Sequence, residues 1–210
     1  MRNPVLARMT AAPRQVWTPA DFADLGHRDT VDKTLQRLAR AGTLSRIERG
    51  LYHLPSVSRL TGAPAVPDYR EVIAAVARRD NARCVIDGMT AANDLGFTTA
   101  VPARIEVLTD ARLRPIRLGS QEIRFRTAAP SRLFWAGRPA MRVVQALYWL
   151  HDMLADRDER PRIVARLARL LADPVHGTRL GDDLRDGLSA LPIWMQELLR
   201  ELVAAPETTA

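Results

Sequence analysis

The chain has 210 residues, 47% of them hydrophobic and only 5% aromatic, with a formal net charge of +7 at pH 7. That leaves room for one large domain or two small ones with a core of Leu, Val, Ala and Ile, and the sign of the charge suits a polyanionic partner. A single cysteine, Cys84, excludes intramolecular disulfides and cysteine-rich zinc sites. No run approaches the roughly 18 apolar residues of a membrane span, and none at the N-terminus has signal-peptide length, so the expectation is a soluble cytoplasmic protein without membrane partners.

In chain order, Pro4 to Ala12 form a first helix with Val5, Leu6 and Met9 inward, and Val16-Trp17 reads as a short strand with Trp17 in the core. Thr18 as cap, Pro19 at the first helical position and Asp21 in the first turn start a second, short helix that Gly26 ends. Asp29 then caps a longer helix that reaches about Ala41 and stops at Gly42. At about 100° per residue, Val31, Leu35 and Leu38 share one face of it, widened by Ala39, while Lys33, Arg37 and Arg40 fall almost opposite. Thr30 and Gln36 lie at the margins, and Arg28 stands at the start. Leu44 to Ile47 and Leu51 to Leu54 flank Glu48-Arg49-Gly50 as a tight hairpin. Helix, turn, helix and basic hairpin describe a winged helix-turn-helix.

Charge supports that reading. Residues 1–60 hold ten Lys+Arg against five Asp+Glu, whereas the remaining 150 hold twenty-one against nineteen. The basic excess sits where a footprint on double-stranded DNA would be. The candidate DNA-binding residues are Arg28, Thr30, Lys33, Arg37 and Arg40 on the helix, with Arg46 and Arg49 on the wing. A basic helix face is also what an ordinary solvated helix presents; the adjoining basic hairpin tips the balance towards DNA.

Pro55 to Pro67, with three prolines and a glycine, reads as a connector, which gives domains at 1–60 and 66–205. The second begins with a helix from Asp68 to Arg79, striped by Val72, Ile73 and Val76. A strand at Cys84 to Ile86, a helix at Met89 to Leu95 and a strand at Arg104 to Thr109 follow. Ile116 to Leu118 and Ile123 to Phe125 then form a hairpin around Gly119-Ser120. Helices at Ala140 to Asp152, Pro161 to Leu171, Thr178 to Leu188 and Pro192 to Val203 make a helical C-terminal cap, and Pro206 to Ala210 form a loose end. The expected class is α+β: a winged helix-turn-helix, then a small mixed α/β domain with that cap.

No constellation for chemistry emerges. Asp87, Glu106 and Glu122 lie at or near strands, where a Mg²⁺ nuclease site would be built, but this part of the chain has no lysine and no acidic-x-Lys arrangement. Neither phosphate-cradling glycine loop is present, and His151-Asp152 has no serine or cysteine partner in evident reach. His27 and His53 are isolated from other ligand types. Arg162, Arg166 and Arg169 read as a solvated face. The expectation is a non-enzyme without metal or cofactor, as a monomer or homodimer.

The wing run Arg46-Ile-Glu-Arg49-Gly50-Leu-Tyr52-His-Leu-Pro55, after Leu35-Gln-Arg-Leu38-Ala-Arg-Ala-Gly42, resembles the AbiEi-type antitoxins of type IV toxin–antitoxin systems. Gly88-Met-Thr-Ala-Ala-Asn-Asp-Leu-Gly96-Phe97, Val101-Pro102 and Ile105 to Thr109 resemble the start of that family's second domain. The resemblance covers residues 1 to about 126. It implies a winged helix that binds an operator and represses its operon, with Lys33, Arg37, Arg46 and Arg49 at the family's basic positions. It also implies a second domain that counteracts a nucleotidyltransferase toxin, functionally rather than through a stable complex. The alternatives are a solitary winged-helix transcription factor whose second domain binds a ligand or dimerises, and a nuclease targeted by a winged helix.

Overall fold

In the computed structural model, which describes residues 2–57, 62 and 64–203, the elements follow the periodicity of the sequence closely. The fold is mixed α+β, with helices and two small sheets. The α-helices are α1 (Arg2–Ala11), α2 (Arg28–Arg40), α3 (Tyr69–Asp80), α4 (Gly88–Asp94), α5 (Met141–Leu150), α6 (Glu159–Leu171), α7 (Gly177–Asp186) and α8 (Ile193–Val203). The strands are β1 (Ser45–Glu48), β2 (Leu51–His53), β3 (Cys84–Ile86), β4 (Arg104–Thr109), β5 (Ile116–Leu118) and β6 (Gln121–Thr127). β1 and β2 form one sheet; in the other, β3 neighbours β4 and β6 neighbours β5. The expected loose end at Pro206 to Ala210, and part of the Pro55 to Pro67 connector, lie outside the described residues.

The chain divides into two compact units, and their bounds are not 1–60 and 66–205. The first is Met1–Cys84 with Thr109–Thr127; the second is Val85–Leu108 with Ala128–Ala210. The first unit takes in α3 and the β5–β6 hairpin for reasons visible in their side chains. From α3, Arg78 Nη2 donates to the Val16 carbonyl at 2.9 Å and its guanidinium pairs with Asp21, while Arg79 Nη1 donates to the Arg49 carbonyl at 2.8 Å. β5 packs beside β1.

Within the first unit, Val5 and Met9 of α1, Trp17, Phe22, Val31, Leu35 and Leu38 of α2, Leu44 and Tyr52 make one core. The Trp17 and Phe22 rings lie 5.3 Å apart. Trp17 also joins the ribbon by exchanging both backbone hydrogen bonds with Tyr52, at 2.8 and 2.9 Å; the short strand expected at Val16-Trp17 is reduced to this single antiparallel bridge. The short helix of Pro19–Leu25 is 3-10 rather than α, kinked at Phe22. Asp21 closes its start by accepting from the Thr18 amide at 2.7 Å and the Thr18 hydroxyl at 3.0 Å, the acidic residue at the third helical position reaching back to the cap as in a capping box. One expected cap is corrected. α2 begins at Arg28 behind His27, so Asp29 lies inside its first turn, where the carboxylate favours the positive end of the helix dipole without capping it.

In the second unit, Gly88 sets how closely α4 approaches α5. A Cβ there would lie 2.6 Å from the Gln145 carbonyl oxygen and 2.7 Å from Trp149 Cβ, so only a residue without a side chain fits. Gly88→Ala should therefore destabilise the protein by about 1–3 kcal/mol through forced separation of the two helices. Thermal unfolding measures this directly, and an unchanged melt would mean that α5 can retreat freely. Arg142 Nε pairs with Asp94 at 3.1 Å from the other side of the same contact. The solvated arginine face expected on α6 is only partly so. Arg166 turns in, donating from Nε to the Leu95 carbonyl at the end of α4 at 3.0 Å.

Candidate nucleic-acid interface

Alternation along α2 separates two chemistries on one helix. Val31, Thr34, Leu35 and Leu38 are buried, whereas Arg28, Thr30, Lys33, Gln36, Arg37 and Arg40 are not. Thr34 stays buried because its hydroxyl donates to the Thr30 carbonyl at 2.7 Å. The cations are not equivalent. Arg28 is held at 3.2 Å by Asp32, one turn on, so much of its charge is already answered. Lys33, Arg37 and Arg40 form no ion pair among the described residues; Arg37 makes only long contacts, 3.4 Å each, to the Lys33 carbonyl and the Thr34 hydroxyl. Arg37 and Arg40 also sit in the last turn, where the helix dipole favours them without any ligand.

The ribbon brings the other two candidates. Ser45 pairs with His53, Arg46 with Tyr52 and Glu48 with Leu51, and a bulge separates Arg46 from Glu48. Arg49-Gly50 closes the turn, and Gly50 takes φ +77°, a conformation in which a side chain would be strained. Arg46 and Arg49 are both exposed; Arg46 Nε reaches only the Glu48 carbonyl, at 3.2 Å. Helix and ribbon meet at Tyr52. Burial pushes its phenol up from the ordinary value, with Arg46 opposing and Asp32 assisting, so both charges lie near one hydroxyl.

Two residues outside the expected set hold the ribbon and the 3-10 helix. Arg79 fixes the Arg49 backbone, packs its Cδ over Gly50 at 3.3 Å from where a Cβ would stand, and faces the Glu48 carboxylate at 3.6 Å. That holds Arg49 on an anchored turn. Arg78 does the same for the entry to the 3-10 helix through Val16 and Asp21. Nothing in the local pattern around α3 marks these arginines, since only tertiary placement gives them partners.

His53, half-buried on β2, makes the ribbon sensitive to acid. Burial pushes its imidazole below the ordinary 6.5, and the contact with the Leu54 carbonyl opposes this only partly. The unfolded chain then takes up the proton more readily than the folded one. The contribution is complete above about pH 6.5 and is lost as pH falls through the folded value. The urea midpoint should drop between about pH 7 and pH 5, and His53→Gln should flatten that part of the profile. A midpoint that rises on acidification would reverse the assignment.

The charge asymmetry is sharper in the folded units than along the sequence. Residues 1–84 and 109–127 hold nineteen Lys+Arg against ten Asp+Glu; residues 85–108 and 128–210 hold twelve against fourteen. Among the described residues no cluster of three or more His, Cys, Asp or Glu could hold a metal ion, and no helix is long and apolar enough to cross a membrane. The strand-borne acids weighed for a nuclease are engaged in the structure. Asp87 caps α4 by accepting from the Thr90 amide and hydroxyl and from the Glu106 amide, and Glu122 pairs with Arg124 at 2.5 Å. Cys84 is buried, which raises its thiol pKa and makes it a poor nucleophile.

Residues 7–171 match a family described as a family of unknown function, DUF6088. The chain belongs to that family. The DUF6088 match takes in all seven candidate residues, the ribbon, the β5–β6 hairpin and the α4–α5 contact, and ends with α6. No curated protein matches the chain.

Proposed function

We propose that this member of the DUF6088 family is a DNA-binding transcriptional regulator that reads its operator through a winged helix-turn-helix. In this reading α1, the 3-10 helix and α2 are the three helices, and the β1–β2 ribbon is the wing. The observation that carries it is the pairing of an amphipathic helix with a basic ribbon over one core. Lys33, Arg37 and Arg40 stand off the buried face of the helix, and Arg46 and Arg49 stand on the ribbon, with no acidic partner among the described residues. Helix residues in a major groove read base edges, and wing residues hold phosphates.

The resemblance to AbiEi-type antitoxins extends the proposal to repression of its own operon and to counteracting a nucleotidyltransferase toxin. Support for that extension lies in the motif residues from Gly88 to Phe97 and Ile105 to Thr109. A solitary regulator with a ligand-binding second unit is the other reading, favoured by one observation. The second unit contains a cavity of about 420 Å³ lined by Leu95, Val143 and Leu180 with Arg142, His176 and Arg179, a mixture suited to a small effector.

Two experiments test these readings. Arg37→Ala should cost about 1–3 kcal/mol on the operator and relax its sequence preference, whereas Arg49→Ala should weaken operator and random DNA alike. Footprints in which both variants lose only operator binding would contradict this division of roles. Inducing a neighbouring toxin gene with and without the full-length protein separates antitoxin from solitary regulator; growth unrescued while operator binding persists leaves the regulator.

A further inference from the structure

We propose that the β5–β6 hairpin is a second phosphate-binding arm of the DNA surface, contributed from a part of the chain far from the helix and wing. This rests on the DNA-binding reading above and adds to it a contact surface in residues 109–127. By sequence alone that hairpin falls in the second domain.

Its construction separates an apolar side from a basic one. Ile116 and Leu118 of β5 and Ile123 of β6 are buried, and Ile116 stands opposite Ile123 across the ladder. Arg117, between the two buried positions of β5, is exposed, and Arg112 and Arg114 stand just before the strand. Residues 109–127 carry five arginines and two acids. Both acids are already answered. Arg83 Nε holds Asp110 at 2.9 Å, and that contact, with the Arg83 amide, keeps the carboxyl below its usual range. Glu122 faces Arg117 in the strand register, yet its carboxylate is taken by Arg124 on its own strand. Arg112, Arg114 and Arg117 are consequently left without an ion pair among the described residues.

Position decides which polyanion they meet. β5 packs beside β1, and β1 carries the exposed Arg46. Arg117 is carried on β5 itself, and all three arginines belong to the same compact unit as the ribbon, which has a surplus of nine positive charges, nineteen against ten. Guanidinium groups without acidic partners, next to a wing, match the phosphate backbone of a duplex. They would add affinity and orientation and leave base preference untouched.

The test is the salt dependence of binding by the full-length protein to a random-sequence duplex, where operator recognition plays no part. In the triple variant Arg112→Ser, Arg114→Ser, Arg117→Ser, the slope of log K against log salt should become shallower by about 0.9 for each phosphate no longer neutralised. For three phosphates, the drop in affinity between about 50 and 200 mM salt should shrink by roughly fortyfold. The matching triple lysine variant keeps the charge and should keep the wild-type slope. Should the serine triple fail to fold, Arg117→Ser alone carries the test, with an expected change of about 0.9. A serine variant that is folded and keeps the wild-type slope, while Arg49→Ala lowers it, overturns the arm and leaves the winged-helix reading standing. A lysine triple that behaves like the serine triple also overturns it. No binding by the wild-type protein overturns both.

Discussion

Raising salt from about 50 to 200 mM should weaken the hold of the full-length protein on duplex DNA by roughly a thousandfold or more, the loss that goes with six to ten neutralised phosphates. The number follows from which cations are uncommitted. Lys33, Arg37, Arg40, Arg46, Arg49, Arg112, Arg114 and Arg117 reach solvent and form no ion pair among the described residues, whereas Arg28 is held by Asp32, Arg83 by Asp110 and Arg124 by Glu122. Only the first group can exchange condensed counterions for protein charge at little cost. Fluorescence anisotropy with a labelled duplex across a salt series measures the slope. A flat profile would remove the electrostatic basis of the DNA-binding proposal, whatever its sequence preference.

Arg138→Ala should lower the melting temperature by roughly 6–12 °C, the equivalent of about 3 kcal/mol in a protein of this size. Arg138 donates from Nε to Asp183 at 2.9 Å, and from Nη2 to the Asp183 carbonyl at 3.2 Å and to Asp186 at 2.6 Å. Its guanidinium also lies 4.8 Å from the Phe134 ring centre and 4.9 Å from that of Trp135. Asp183, only 13% exposed, in turn accepts from the Ala140 amide at the start of α5. Truncating Arg138 would strand that carboxylate where water reaches it poorly, so most of the cost is the charge left behind. Arg185→Ala is the control. Its pair with Asp182 is equally short at 2.5 Å, but both side chains are more than half exposed, and a change near zero is expected. Equal melting shifts for the two variants would show that burial does not decide the difference.

Local pattern makes much of this fold legible. The outward face of α2 and the turns at Gly50 and Gly119 follow from spacing and from glycine at positive φ, and both are properties of neighbouring residues. The start of α2 is harder to place, because Asp29 has the chemistry of a cap while the helix begins at the residue before it. Pro19 in a seven-residue segment favours a helical turn without specifying 3-10 geometry. The division into units is hidden for a different reason. Prolines in the connector mark where the chain leaves an element, and they carry no information on what later segments pack against. That Arg79 of α3 anchors the Arg49 carbonyl, or that β5 lies beside β1, depends on pairings between residues dozens of positions apart. The same long-range pairings bring β5, and with it Arg117, beside the ribbon.

Residues 109–127 return to the first unit only after the chain has laid down residues 85–108 of the second. On the ribosome, therefore, the basic half cannot complete itself as soon as its N-terminal stretch has emerged. At about 5–20 residues per second, α1 to α3 wait a few seconds for the β5–β6 hairpin. A nascent chain or a proteolytic fragment ending near Cys84 would carry the helix and ribbon arginines but not those of the hairpin. On the proposed DNA-binding reading, such a fragment would bind DNA more loosely than the finished protein, and an operator would be held firmly only by chains already translated past Thr127.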